Sequence, residues 1–480
     1  MSERRIVGPF NRVEGDLEIA LEIADGRIAA AYVDSPMYRG FEQILQGKAP
    51  ADALVLVPRI CGICSVAQSA ACALALADAA AIEPPRNGRL AANLTLATEN
   101  LADHLTHFYL FFMPDFARAE YAGRTWHAAT AERFRATTGS AVEQVLPART
   151  RFMQIMGLLA GKWPHTLAVQ PGGSTRPLQG SELFRLHRHL REFREFLERV
   201  TFAAPLAEVA AIDSVSALDA WVRSGAGDLR AFLRIAEDLG LWQVGRGTDV
   251  FMSYGCYQEE EGRLFPAGVW CDGLQPLDVG AIREDVACSR YAAGGELQHP
   301  REGSTVPLDE KAGAYSWCKA PRLDGAVVET GAFARQVVAG HPLARDILAR
   351  CGGSVAARVA ARMLELALVL PAMEGWLADL RAGDPWCASA SLADETTGVG
   401  LVEAARGSLG HWLTVRRGRI HNYQIIAPTT WNFSPRDSSG APGVLERALG
   451  GLEVGAGGEI PAVVHHVVRS FDPCMVCTVH

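Results

Sequence analysis

The chain has 480 residues, 49% of them apolar and 21% charged, proportions that exclude a disordered polymer and allow a large buried core. With 46 Lys and Arg against 54 Asp and Glu its formal charge is −8, so it lacks the basic footprint of a nucleic-acid or anionic-membrane binder. The most apolar stretch, Met363 to Met373, is interrupted by Glu365 and falls short of the roughly 20 residues a membrane span requires, which argues against membrane insertion.

Residues 4–36 alternate apolar and polar around Asp25-Gly26, with Leu17 to Ile23 on one side and Arg27 to Val33 on the other. The chain is therefore expected to open with antiparallel strands, Glu14 lying in the opening strand. From Leu90 to about Phe112, the residues Leu94, Leu101, Leu105, Phe108 and Phe112 recur at the spacing of a buried helix. Helical patterns also run over 181–202, 226–239 and 331–349. A long one passes through Val355, Val359, Met363, Leu366 and Leu370, with Pro371 as a kink point. Segments 241–275 and 412–426 are richer in β-branched and aromatic residues and read as strands or loops. No linker, composition shift or repeat divides the chain, and Gly451 to Gly458 reads as a loop. The expected fold class is α+β: one mainly helical, interwoven domain over residues 1–480, a central helix bundle with smaller peripheral β-sheets.

Two C-x2-C pairs stand at opposite ends, Cys61-Gly-Ile-Cys64 and Cys474-Met-Val-Cys477. Four thiolates at this spacing can converge on one soft metal centre. Roughly 410 residues separate the pairs, against the roughly 15–20 of an ordinary zinc ribbon, so a local structural zinc module is disfavoured and the chain has to close on itself. The other cysteines, Cys72, Cys256, Cys271, Cys288, Cys318, Cys351 and Cys387, have no regular spacing and read as reduced thiols. As the N-terminus also lacks the apolar run of an export signal, the expected compartment is the cytoplasm.

The segment Arg59 to Cys64, together with Asp472-Pro-Cys-Met-Val-Cys-Thr-Val-His480, resembles the two signatures of the large subunit of nickel-iron hydrogenases. Further blocks resemble that family in its own order: Arg12 to Gly15, Tyr38 to Glu42, His104 to Tyr109, Pro171 to Thr175, Tyr315 to Arg322, Ala405 to His411 and Tyr423 to Asn432. The resemblance implies a nickel-iron centre, with Cys61 and Cys474 terminal on nickel and Cys64 and Cys477 bridging to an iron that carries carbon monoxide and cyanide. It further implies that Glu14 relays the proton of heterolytic H2 cleavage and that Arg406 lies over the open metal position. Ala405 and Thr429 would be cofactor-binding neighbours, Thr429 donating to a cyanide. Asp115 and Asp472 would hold the surrounding backbone, and Glu42, the carbonyl of Ile425 and the terminal His480 would bind a magnesium ion. On the residues alone, Glu14 is a solvated strand residue, Arg406 and Thr429 an ion-pair and a turn residue, and His104, His107 and His411 core or surface histidines.

Two departures set a finer expectation. Enzymatic members usually carry His where this chain has Gln68 and Asp16, and the Gln68-Ser-Ala-Ala run resembles the regulatory, hydrogen-sensing branch. A hydrogen bond from Gln68 to a bridging sulfur would be neutral and would not titrate. The chain also ends at His480, where most members carry a further segment removed after metal loading; the expectation is a trimmed form or a gene that stops there. The expected function is therefore a cytoplasmic H2 sensor of low turnover, partnered by an iron-sulfur small subunit, a histidine kinase and maturation proteins. The alternatives are a catalytic uptake hydrogenase in energy metabolism and a metal-free scaffold like the related respiratory-complex subunit, which the four cysteines oppose. Ile63 and Phe111 are bulkier than the residues often found in the enzymatic branch and would narrow a gas path. With no ferredoxin-type cysteine run in this chain, iron-sulfur clusters are expected only in the partner.

Overall fold

In the computed structural model residues 3–292, 297–454 and 461–479 are described. The opening sheet is antiparallel in the order β1 (Glu3–Val7), β2 (Glu18–Ala24), β3 (Arg27–Asp34). Its hairpin turns at Asp25 and Gly26, both at positive φ (51° and 73°), the backbone that matches the twist of the flanking strands. Leu17, Ile19, Leu21 and Ile23 alternate inward and are buried. The expectation for Glu14 needs correction: β1 ends at Val7, and residues 8–17 leave the sheet and cross to the C-terminal segment.

Helices make the body: α1 (Ser65–Ala80), α2 (Arg86–Thr106), α3 (Ser140–Leu159), α4 (Gly180–Phe196), α5 (Ala332–Ala339) and α6 (Val355–Ala378). A π-type turn over His107–Phe112 follows the last turn of α2, and Phe108 and Phe112 are both buried in the core. Phe152 of α3 stacks on Phe193 of α4 with ring centroids 3.9 Å apart. Helix α6 is one element through Pro371. The pattern over 331–349 is two helices instead of one, because Gly340 ends α5 in the left-handed region and Pro342 starts the next. Among the described residues no helix is long and apolar enough to cross a membrane.

A second antiparallel sheet, β4 (Thr396–Ala404), β5 (Gly407–Arg416) and β6 (Arg419–Ile426), carries α1 on β4. The approach is close enough to demand glycine: a Cβ added at Gly400 would lie 2.5 Å from Ala75 N and nearer still to Ala71 O. Beyond β6 come α7 (Pro428–Asn432) and α8 (Ala462–Ser470), then the final segment to Val479. The main apolar cluster runs from Val7 to Cys477 and takes in all four cysteines of the two pairs.

Candidate metal centre

Each cysteine pair is presented by a braced loop. Cys64 is the N-cap of α1, and the helix's next amides, Val66 and Ala67, donate to Glu99 of α2 at 2.9 Å each. Trp163 Nε1 donates to the same carboxylate at 2.8 Å. Burial pushes Glu99 up to about 7, against these three donors. The C-terminal pair is held by residue 14: Met475 N donates to Glu14 O at 2.7 Å and Glu14 N to Pro473 O at 3.3 Å, a parallel bridge between residues 14 and 474. Gly15 is at φ 80°, and a Cβ there would meet Val476 Cγ1 at 2.9 Å. The last residues are thus threaded between the first turns of the chain.

The result is a cluster of four buried sulfurs lying within 4.8 Å of one another. Cys61 Sγ is 3.4 Å from Cys474 Sγ, Cys64 Sγ is 3.3 Å from Cys477 Sγ, and Cys474 and Cys477 are 3.0 Å apart. Hydrogen bonds from the other thiols, Cys474 foremost, hold Cys61 well below the usual thiol range, while the bond to Cys474 raises Cys64 and burial raises Cys474. The four thiols thus resist ionising together. Four soft donors converging in a buried site are a set that a thiophilic cation fits, since it neutralises the charges burial opposes.

Two charged groups flank the sulfurs. Glu14 is half-buried, and its carboxyl is raised by burial and by the charge of Cys61, with Arg406 and Arg39 opposing. Arg406 is buried. Its Nε donates to Asp472 O at 2.9 Å, and its Nη2 to Asp103 Oδ1 at 3.1 Å and Asp472 Oδ1 at 3.2 Å. Burial alone would favour losing its proton, but Asp103 and Asp472 hold the guanidinium charged. Thr429 Oγ1 accepts from Cys474 N at 3.1 Å, which leaves its own proton to donate elsewhere. Ala405 contributes backbone, its carbonyl accepting from Arg335. Asp115 lies behind the site, paired with Arg12, Arg118 and Arg469. Burial would raise it, yet the His466 bond and the guanidinium charges hold it far below the carboxylate range.

The residues expected around magnesium form a separate cluster. Glu42 Oε1 accepts from Ile425 N at 2.8 Å, and its Oε2 contacts Thr305 Oγ1 and, at 3.1 Å, Lys319 Nζ. As Ile425 turns its N–H outward to Glu42, its carbonyl faces the same edge of β6. Gln424 Oε1 joins Lys319 at 2.8 Å. This oxygen-rich set suits a hard dication, and His480 lies outside the described residues. Gln68 departs from expectation. Its carboxamide oxygen accepts from His411 Nε2 at 2.9 Å, and its nitrogen has no hydrogen-bond partner among the described residues. His411 in turn meets Tyr423 at 2.8 Å. Asp16 is exposed, and Ile63 and Phe111 are half-buried.

Sequence reasoning missed Asp103, Glu99, Lys319 and Arg335. Asp103 stands one residue before a quoted block, and a carboxylate on the apolar face of α2 was the signal for it. Lys319 lay inside a quoted block without an assigned role. Glu99 and Arg335 carried no signal beyond being charged within an apolar pattern.

The family model described as nickel-dependent hydrogenase matches residues 39–144 and 143–480. The periplasmic [NiFeSe] hydrogenase large subunit of Desulfomicrobium baculatum is 29% identical over 519 residues, covering 99% of this chain and 94% of its own. The uptake hydrogenase large subunit of Rubrivivax gelatinosus is 26% identical, covering 99% and 95%. The reduced Ni-Fe-Se hydrogenase of D. vulgaris Hildenborough superposes with a TM-score of 0.85 at 30% identity, over 100% of both chains. The α+β expectation agrees with these neighbours. The cytoplasmic expectation is overturned, since a relative matching 99% of this chain is periplasmic. It rested on scattered free thiols and on the lack of an apolar run at the N-terminus; of those thiols Cys72, Cys256 and Cys318 are buried, and burial pushes Cys72 up to about 12, which keeps it inert in any compartment. The sensing branch is not supported either, as these relatives are an uptake and NiFeSe hydrogenases.

Proposed function

We propose that this chain, which belongs to the nickel-dependent hydrogenase family as a large subunit, is the catalytic subunit of an uptake-type enzyme that oxidises H2. The convergence of four buried thiols from both chain ends, beside a raised carboxyl and a buried guanidinium, carries this assignment. Cys61 and Cys474 would hold nickel, and Cys64 and Cys477 would join it to an iron carrying carbon monoxide and cyanide. When bound, that centre polarises H2 so that it can lose a proton.

The chain's own residues would manage that proton. Glu14 is raised by burial and by Cys61, which brings its affinity nearer to what a proton acceptor needs around neutral pH. Its backbone is bridged to residue 474, which keeps the residue beside the C-terminal cysteine pair. Arg406, pinned by Asp103 and Asp472, holds a fixed positive charge over the site. Reorganisation at the moment of reaction is thereby small. Thr429 is left with a proton to offer a cyanide. Glu42, the Ile425 carbonyl and His480 would hold a magnesium ion, tying the C-terminus to β6. We take the chain to act as one domain, with electrons leaving through an iron-sulfur small subunit.

Copurification with that subunit, followed by nickel analysis, infrared detection of carbonyl and cyanide bands and H2-dependent dye reduction, tests the assignment. The expected turnover lies in the ordinary enzyme range of about 1–10³ s⁻¹. A loaded complex far below that range would refute the uptake role and restore the sensor.

A further inference from the structure

Strands β4 and β5 join through Ala405 and Arg406 alone, Ala404 pairing with Gly407 across the ladder. A two-residue hairpin loop favours positive φ at one or both loop residues, and neither Ala405 nor Arg406 has it. Gly407 instead takes φ 130°, packed so closely on Thr330 and Gly331 that an added Cβ would lie 2.7 Å from Gly331 N. Local sequence does not favour the turn that aims Arg406. Something outside the hairpin has to hold it.

That group is Arg335 of α5, a fully buried guanidinium. Its Nη1 donates to Ala404 O at 2.8 Å and its Nη2 to Ala405 O at 3.3 Å. Glu365 of α6 takes Nε at 2.9 Å and Nη2 at 2.8 Å, and Glu403 takes Nη1 at 2.9 Å. All five N–H donors are used. Glu365 Oε2 also meets His104 Nε2 at 2.7 Å, and His104 follows Asp103, whose carboxylate bonds Arg406. One guanidinium therefore fixes both the carbonyls that precede Arg406 and, through Glu365 and His104, the helix that carries its partner.

We propose that Arg335 is a positioning residue for Arg406: it sets the direction of that guanidinium by clamping the turn before it. The inference rests on the assignment of the four thiols to the nickel-iron centre. Arg335→Lys keeps a buried positive charge between the two carboxylates but cannot reach both carbonyls as well. In the loaded complex it is expected to retain nickel, to shift the cyanide infrared bands and to slow H2-dependent dye reduction about 10-fold or more. In an Arg406→Lys background, adding Arg335→Lys is expected to change neither bands nor rate. Additive losses in that cycle, or unshifted bands in Arg335→Lys, overturn the proposal. Absence of nickel and bands from the parent complex overturns the metal assignment instead, so the two failures are distinct. Should Arg335→Lys not accumulate, Glu365→Gln, which loosens the guanidinium without removing it, enters the same cycle with the same two outcomes.

Discussion

Replacing Gly400 by Ala adds one methyl group between β4 and α1, at a place where no methyl fits. The new Cβ would lie 2.5 Å from Ala75 N and nearer to Ala71 O, and both are helix backbone that cannot rotate away. Restoring ordinary contact, 3.4 Å or more, requires α1 to move as a body by roughly 1.5 Å, the Ala71 carbonyl setting the larger shift. Overpacking of this kind costs about 1–3 kcal/mol. Cys64 is the N-cap of α1, so the same movement carries one sulfur out of a cluster only 4.8 Å across. Such a site tolerates misplacement of about 0.5 Å. The expected result is a lower unfolding midpoint and a larger fractional loss of bound nickel, measured on the same purified complex by thermal melting and metal analysis. Gly157→Ala is the control, since nothing lies within 4 Å of its Cβ inside α3; it is expected to stabilise by about 0.5–1 kcal/mol and leave nickel unchanged. A Gly400→Ala complex with parental nickel content and melting temperature would refute the seating of α1 by β4.

Glu14→Gln is expected to keep nickel while lowering H2-dependent dye reduction and hydrogen-deuterium exchange about 10²–10⁴-fold, because an amide cannot take up and release the proton; normal exchange removes Glu14 from the chemistry. Glu99 is raised from 4.5 to about 7 when folded, so its contribution to stability is present below about pH 4.5 and is lost as pH rises through 7, about 3 kcal/mol in all. Glu99→Gln should therefore flatten the fall in stability between pH 5 and pH 8 in denaturant titrations, and an unaltered slope shows that the carboxyl does not titrate there. Ile63→Val with Phe111→Leu should shorten the lifetime of activity in air by widening a gas path. An unchanged inactivation rate at parental nickel content would mean that access is controlled elsewhere.

The hairpin at Asp25-Gly26 and the buried face of α2 were legible because each is encoded by neighbours in sequence, a turn dipeptide in one case and a 3.6-residue period in the other. The two cysteine pairs were legible as one site because their spacing suits a soft metal and the gap between them excludes a local module. Period could not reveal the extra residue of the π-type turn at His107–Phe112, since a single insertion looks like noise in an apolar run. Nor could it move Glu14 out of the opening strand: the bridge from residue 14 to residue 474 exists only because the C-terminal segment lies alongside. The same holds for Asp103 against Arg406, Glu42 against Ile425, and Arg335 against the carbonyls of Ala404 and Ala405. These charged groups read as ordinary polar residues until the fold removes water from around them. Burial makes an unpaired charge costly, and partners about seventy to several hundred residues away are the ones that tertiary packing supplies.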